Sequence, residues 1–475
     1  MDNDNTRRRI RARLEELIES GSVSEGQPLP SIRALAREFG ASPVTAQRVI
    51  GELAREGLVE PLPGRGTYVR RRPGTARLDT AWQSPKLPAP PPLSAAFDEF
   101  ARPAVSARFP LASGYLDERL LARRELQAAS SRGARRPGAW GVADPTGLRE
   151  LRDWFGREAG IHDREHTAIV TPGSQAALAT LFRALASPGD AVLVEAPTYL
   201  GALIALQAAR LRPVPVPTDR DGMLVEYVPE ALSRSSAPLI YVQPAFANPN
   251  GTCLSAVRRQ RLLEAAHAAG AFIVEDDYAR DLFIDRRPPP PLIRQDTEGR
   301  VVYLRSLSKS AAPSLRVAIM LASGPAGARL RTVSAIEQLF VSRVLQETAL
   351  ELLVSAAWGR HLRRLRAGLR ERRDAAVSTL TERWPEAELA LIPEGGFHLW
   401  LRLPDGLDEV ALATAASGLG VTVNPGRHWF PAEAPGPFLR VSYAAASSDE
   451  LTHGIGLLAQ AAERAVVADT ARQSG

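Results

Sequence analysis

Cysteine is nearly absent: Cys253 stands alone in 475 residues, so no intramolecular disulfide can form, which suits a reducing compartment. Seven scattered histidines and that one thiol give no metal-ligand spacing, and no metal is expected. Long apolar runs are missing too, and nothing approaches the ~20 residues a membrane-crossing helix needs. The opening MDNDNTRRRIRARLEE lacks the apolar middle of a signal peptide. A cytoplasmic protein without a membrane partner is therefore expected. Lysine is the most informative scarcity. Of 59 Lys plus Arg, only Lys86 and Lys309 are lysines. Arginine does not lose its proton in a protein and cannot serve as an amine nucleophile, whereas lysine can. Lys86 falls in a proline-rich stretch, so attention settles on Lys309. What remains is ordinary for folded proteins: 45% apolar and 24% charged residues exclude wholesale disorder. The net charge of +6 is compatible with an anionic partner without naming one.

Prolines cluster at 73–108, where apolar periodicity lapses, and this stretch reads as a linker between a short unit, 1–72, and a long one, 109–465. Residues 466–475 read as a tail. The four prolines at 288–291 read as a rigid surface loop. In the short unit, Ile10, Leu14, Leu17 and Ile18 recur at helical spacing over 6–20. Ser31 opens a second helix that Gly40 ends; Ser42 caps a third, with Pro43 at its tolerated first position and Gly57 closing it. Two short β-type runs then flank Pro63-Gly64-Arg65-Gly66. The layout is helix-turn-helix plus a wing.

The phrases LPSIRALAREFGASPVTAQRVIGELAREGLVE and GRGTYV resemble the winged helix-turn-helix of GntR-type transcription regulators. That resemblance implies a third helix in the major groove and a hairpin tip in the minor groove of double-stranded DNA. Arg33, Thr45, Gln47 and Arg48 would then meet phosphates or base edges, and Arg65 with Gly66 would form the wing tip. The physics agrees, since polar side chains on a helix fit the major groove and Arg suits a narrow minor groove. Pro43 stands where many relatives carry a basic residue.

The long unit alternates strand-length apolar runs (AVLVEAP, PLIYVQP, AFIVEDD, RVVYLRS) with Ala/Leu-rich helical segments, the pattern of an α/β domain with a mostly parallel sheet. Ligands collect where such strands end. Four groups fall there: Thr171-Pro172-Gly173-Ser174-Gln175; Asn248-Pro249-Asn250-Gly251; Asp276-Asp277-Tyr278; and Ser306-Leu307-Ser308-Lys309. Alone, each is an ordinary turn, cap or loop. Together they answer the needs of pyridoxal 5'-phosphate (PLP). Lys309 offers the amine for a Schiff base and Asp276 a partner for the ring nitrogen. Asn248 and Tyr278 can donate to the phenolate oxygen, and Tyr199 can stack on the ring. Gly173, Ser174 and Gln175 at a helix start, with Ser306 and Arg316, can cradle the phosphate.

The phrases DPTGLRELRDWF, TPGSQAAL, NPNG, EDDY, SLSKSAAPSLR, EGGFHLWLRLP and FLRVSY resemble fold-type I aminotransferases, most of all kynurenine and 2-aminoadipate aminotransferases. The implied fold is a large mixed or parallel sheet domain with a small α+β domain. By the same resemblance, Arg440 grips an amino acid's α-carboxylate. Trp140 stands where many relatives have a Tyr that reaches a phosphate in the partner subunit. The whole multidomain layout resembles MocR-type regulators. It implies a homodimer whose DNA binding responds to an amino acid or amine effector, or to PLP itself. A working aminotransferase with an attached DNA-binding unit is the alternative.

Overall fold

The computed structural model describes residues 2–19, 22–70, 107–161 and 165–473, with the single positions 80, 82 and 86. They form two compact units, one within Met1–Pro90 and one within Pro91–Gly475. Most of the expected linker at 73–108 lies outside the described residues.

The first unit holds helices Asp2–Glu19, Ile32–Glu38 and Pro43–Arg55, then strands β1 (Val59–Leu62) and β2 (Gly66–Val69) paired antiparallel. Ser31 and Ser42 cap the second and third helices, each accepting a backbone N–H three residues on. Helical period then decides which side chains face inward. Ala46, Val49, Ile50 and Leu53 join Ile10, Leu14, Leu35, Val59 and Val69 in one core, while Gln47 and Arg48 stay exposed. Positive φ at Gly64 and Gly66 lets the hairpin reverse within four residues.

In the second unit, eight strands form one sheet: β3 (His166–Thr171), β4 (Ala191–Ala196), β5 (Arg212–Asp219), β6 (Gly222–Met223), β7 (Leu239–Val242), β8 (Phe272–Asp276), β9 (Val301–Ser306) and β10 (Ala318–Ser323). Their spatial order is β3-β10-β9-β8-β7-β4-β5-β6. β4, β5, β7, β8 and β9 run parallel, and β10 is antiparallel to both neighbours. Both faces are buried, because alternate residues such as Leu239 and Ile240 enter two different apolar cores.

Beyond β6, which covers only Thr218 and Asp219, the outer edge of this sheet is carried by RPVPVP at 212–217. Arg212 N–H donates to Asp190 on the β4 side, so Pro213, Pro215 and Pro217 turn outward at alternate positions. Proline has no N–H, and the edge lacks donors there.

A second sheet, order β11-β12-β14-β13, comprises β11 (Glu388–Leu389), β12 (His398–Arg402), β13 (Asn424–Pro425) and β14 (Phe438–Ser442), all antiparallel. Helix Ala356–Arg383, itself rich in arginine, leads into this smaller layer. The last helix, Ser448–Gln473, runs through most of the expected tail, consistent with its Ala-rich sequence. The four-proline run is also less superficial than expected. Pro290 O accepts from fully buried Arg259 and Pro289 O from Arg280. Among the described residues, no helix is long and apolar enough to cross a membrane.

Ser42→Ala removes one cap from the third helix. It should destabilise the first unit by about 1 kcal/mol, read as a lower midpoint for that unit's urea transition.

Candidate functional site

Parallel strands deliver their carboxyl ends to one rim of the large sheet, and the four expected groups gather there. Asp276 closes β8 and is 1% exposed. Its Oδ2 accepts from Tyr241 OH at 2.8 Å and Gln243 Nε2 at 2.9 Å, whereas Oδ1 is buried with no hydrogen-bond partner. Burial pushes this carboxyl up to about 6, against the Gln243 and Tyr241 donors that lower it. Behind it Glu195, near the end of β4, is pushed up to about 8 by burial.

Lys309 sits three residues beyond β9. Nζ donates to Gly114 O at 2.6 Å and lies 3.8 Å from the centre of the Tyr115 ring. Burial lowers its pKa to about 7, helped by the charges of Arg440 and Arg316 and opposed by Asp276. The amine is therefore substantially neutral, and nucleophilic, near pH 7.

Across the rim, Gly173 precedes helix Ser174–Leu185 with φ of +96°. A Cβ there would meet the Arg316 guanidinium at 2.4 Å, so only glycine leaves this concavity open. Arg316 Nη2 donates to Pro172 O at 2.7 Å. Ser306 Oγ bonds Ser308, a hydroxyl not singled out from sequence. Gln175 donates to Gly201 O and accepts from Tyr199 OH, fixing Tyr199 at the start of helix Leu200–Ala208. Tyr278 OH donates to Phe246 O at 2.7 Å.

Arg440, on β14, is 6% exposed. It donates to Asn424 Oδ1, Asn248 Oδ1 and Ala112 O, and stacks on Trp429 with its guanidinium carbon 4.6 Å from the ring centre. Sequence reasoning missed Asn424, Trp429, Ala112, Gly114, Tyr241 and Gln243. Only Gln243 had a local signal, a polar residue ending an apolar run; the others converge through topology alone. In the first unit, Arg33, Gln47, Arg48, Arg65 and Gly66 are exposed. Thr45 is 6% exposed and its hydroxyl lies 2.8 Å from Ser42 Oγ, because helical period turns it toward the core.

The rim fits PLP on two structural grounds: the orphaned Asp276 Oδ1 and the concavity kept open at Gly173. Fold and site together define a PLP-type transferase unit joined to a winged DNA-binding unit. Family models agree. Aminotransferase class I and II matches residues 122–458, and bacterial regulatory proteins, gntR family, matches 6–69. The chain belongs to the aminotransferase class I and II family and carries a gntR-family unit ahead of it. It is 28% identical over 93% of its length to the HTH-type transcriptional regulator YdfD of Bacillus subtilis, covering 93% of that protein. It is 27% identical over 96% of its length to the probable rhizopine catabolism regulatory protein MocR of Rhizobium meliloti, covering 93% of it. Among solved structures, Pyrococcus horikoshii kynurenine aminotransferase matches 78% of this chain and 95% of its own, at 28% identity and TM-score 0.73.

Two outcomes are expected. Gly173→Ala should weaken PLP binding at least about tenfold, measured by absorbance titration, because the new methyl displaces Arg316. Lys309→Ala should abolish the absorbance of covalently held PLP while leaving the circular dichroism unchanged. In the wild type, the rate of PLP attachment should rise as pH climbs through about 7, where Nζ loses its proton.

Proposed function

We propose that the protein is a PLP-dependent, DNA-binding transcription regulator that senses an amino acid or amine, or PLP itself, through its aminotransferase-like unit. One observation carries this reading: a single chain joins a gntR-type unit to a sheet rim that offers a candidate residue for each PLP-binding role. DNA as partner favours a cytoplasmic protein, organised as units 1–72 and 109–465 about a linker.

PLP, when bound, supplies an aldehyde that reacts with amines and a ring that draws electrons. The chain supplies the rest. Lys309 would present its amine, and Asp276 Oδ1 would accept a hydrogen bond from the protonated ring nitrogen. Gly173, Ser174, Gln175, Ser306 and Arg316 hold the phosphate. Tyr199 would cover a ring face, Asn248 would donate to the phenolate oxygen, and Tyr278 would join it on giving up its bond to Phe246 O. Arg440 takes a carboxylate.

A ligand carboxylate on Arg440 competes with Ala112 O, and loss of the Lys309 amine releases Gly114 O. Both carbonyls lie in the first described segment after the linker, anchored to the small layer by Phe109 with Gly420 and Leu111 with Ser442. Occupancy is thus felt where the chain leads back to the DNA-binding unit. A homodimer would present two such units to two half-sites, and tethering would raise their joint affinity. Exposed Trp140 and Val142 support a contact with a second copy.

The alternative, a working aminotransferase, is favoured by the completeness of the set Asn248, Asp276, Lys309 and Arg440. Multiple-turnover transamination at about 1 per second or faster would establish it. The regulator reading expects promoter-fragment affinity to change when PLP, or PLP with one of a panel of amino acids and amines, is added. Unaltered affinity throughout would overturn it. Arg48→Ala should weaken DNA binding and reduce its salt slope by about one without affecting PLP uptake.

A further inference from the structure

We propose that Gln243 is a positioning residue of the cofactor site, its side-chain amide fixing Asp276 with one end and the Asn248 loop with the other. The inference rests on reading Asp276 as the partner of the PLP ring nitrogen.

Gln243 follows β7 and is 2% exposed. Its backbone N–H donates to Glu195 Oε2 at 2.9 Å, which seats the residue. Nε2 donates to Asp276 Oδ2 at 2.9 Å, and Oε1 accepts from Asn248 N–H at 2.9 Å. Asn248 Oδ1 in turn accepts from Arg440 Nη1 at 3.2 Å. A continuous hydrogen-bonded path thus runs from the acid assigned to the ring nitrogen to the guanidinium assigned to the carboxylate. Its middle member must donate at one end and accept at the other. A side-chain amide does both without carrying charge.

The Gln243 and Tyr241 donors both fall on Oδ2, so Oδ1 stays unpartnered while the carboxylate is held in one orientation. The groups acting on Asp276 are Tyr241 and Gln243 from the β7 side, Glu195 in β4 and Tyr199 beyond it, Asp277 and Tyr278 beyond its own strand, and Lys309 after β9. Gln243 and Tyr241 lower its proton affinity by hydrogen bonding, and Lys309 lowers it by charge. Losing the Gln243 donor therefore raises it. PLP needs the ionised carboxylate, so its affinity is present above the Asp276 pKa and lost as pH falls through it. Without Gln243, that loss begins at higher pH.

The test uses the full chain as wild type, Gln243→Met and Gln243→Leu. PLP affinity is titrated by absorbance between roughly pH 5 and 8.5, a range spanning carboxylate and imidazole titration. Amide hydrogen exchange is followed in the peptide containing Asn248. The midpoint of acid loss should move up by about one pH unit in both variants, the worth of one hydrogen bond to a charged group. Exchange at Asn248 should quicken by about tenfold. A merely structural role would lower PLP affinity evenly at every pH. Profiles of wild-type shape, or unaltered exchange, overturn the proposal. Wild-type protein that takes up no PLP overturns the cofactor reading instead, and exchange at Asn248 still reports on Gln243.

Discussion

A nearly dry carboxylate with one unpaired oxygen is the constraint around which the second unit is arranged. Leaving a buried acceptor without a partner is costly, and such a group at the mouth of strand ends calls for something that meets it. Asp276 is kept anionic by neutral donors on its other oxygen and by a lysine whose own charge is partly suppressed. Burial raises the proton affinity of the neighbouring acid, Glu195, which weakens its charge beside Asp276. These features share one cause. Parallel strands end together, and the loops leaving them must place polar groups in an apolar setting.

The site is also two-sided. Asp276, Lys309 and the Gly173 turn belong to the large sheet, while Arg440 and Asn424 belong to the small one. Asn248, carried on a large-sheet loop, reaches across to Arg440. A ligand held by both halves would bind their relative position as well as their chemistry. Such an arrangement suits a sensor as readily as an enzyme. The relatives divide the same way, with full-length similarity to regulators and structural similarity to an aminotransferase.

Much of this was legible in the sequence because the signals are local. Strands β4, β7, β8 and β9 stand out as apolar runs, and Ser42, Pro43 and Gly57 bracket a helix. Lys309 is conspicuous in a chain that otherwise uses arginine. The burial of Thr45 and Ala46 beside the exposed Gln47 and Arg48 depends on helical phase, which the local sequence states only loosely. Asn424, Trp429 and the carbonyls of Ala112 and Gly114 carry no local mark. They matter only because distant segments converge on Arg440 and Lys309, which sequence spacing does not encode.

The alternating prolines of β5 have a consequence beyond the monomer. A transcription factor works crowded beside other copies on DNA, where an open strand edge would invite a neighbouring chain to zip on. With donors deleted at every second position, such cross-chain pairing cannot propagate. The molecule can gather on a promoter with its widest layer closed to fibre growth along that side.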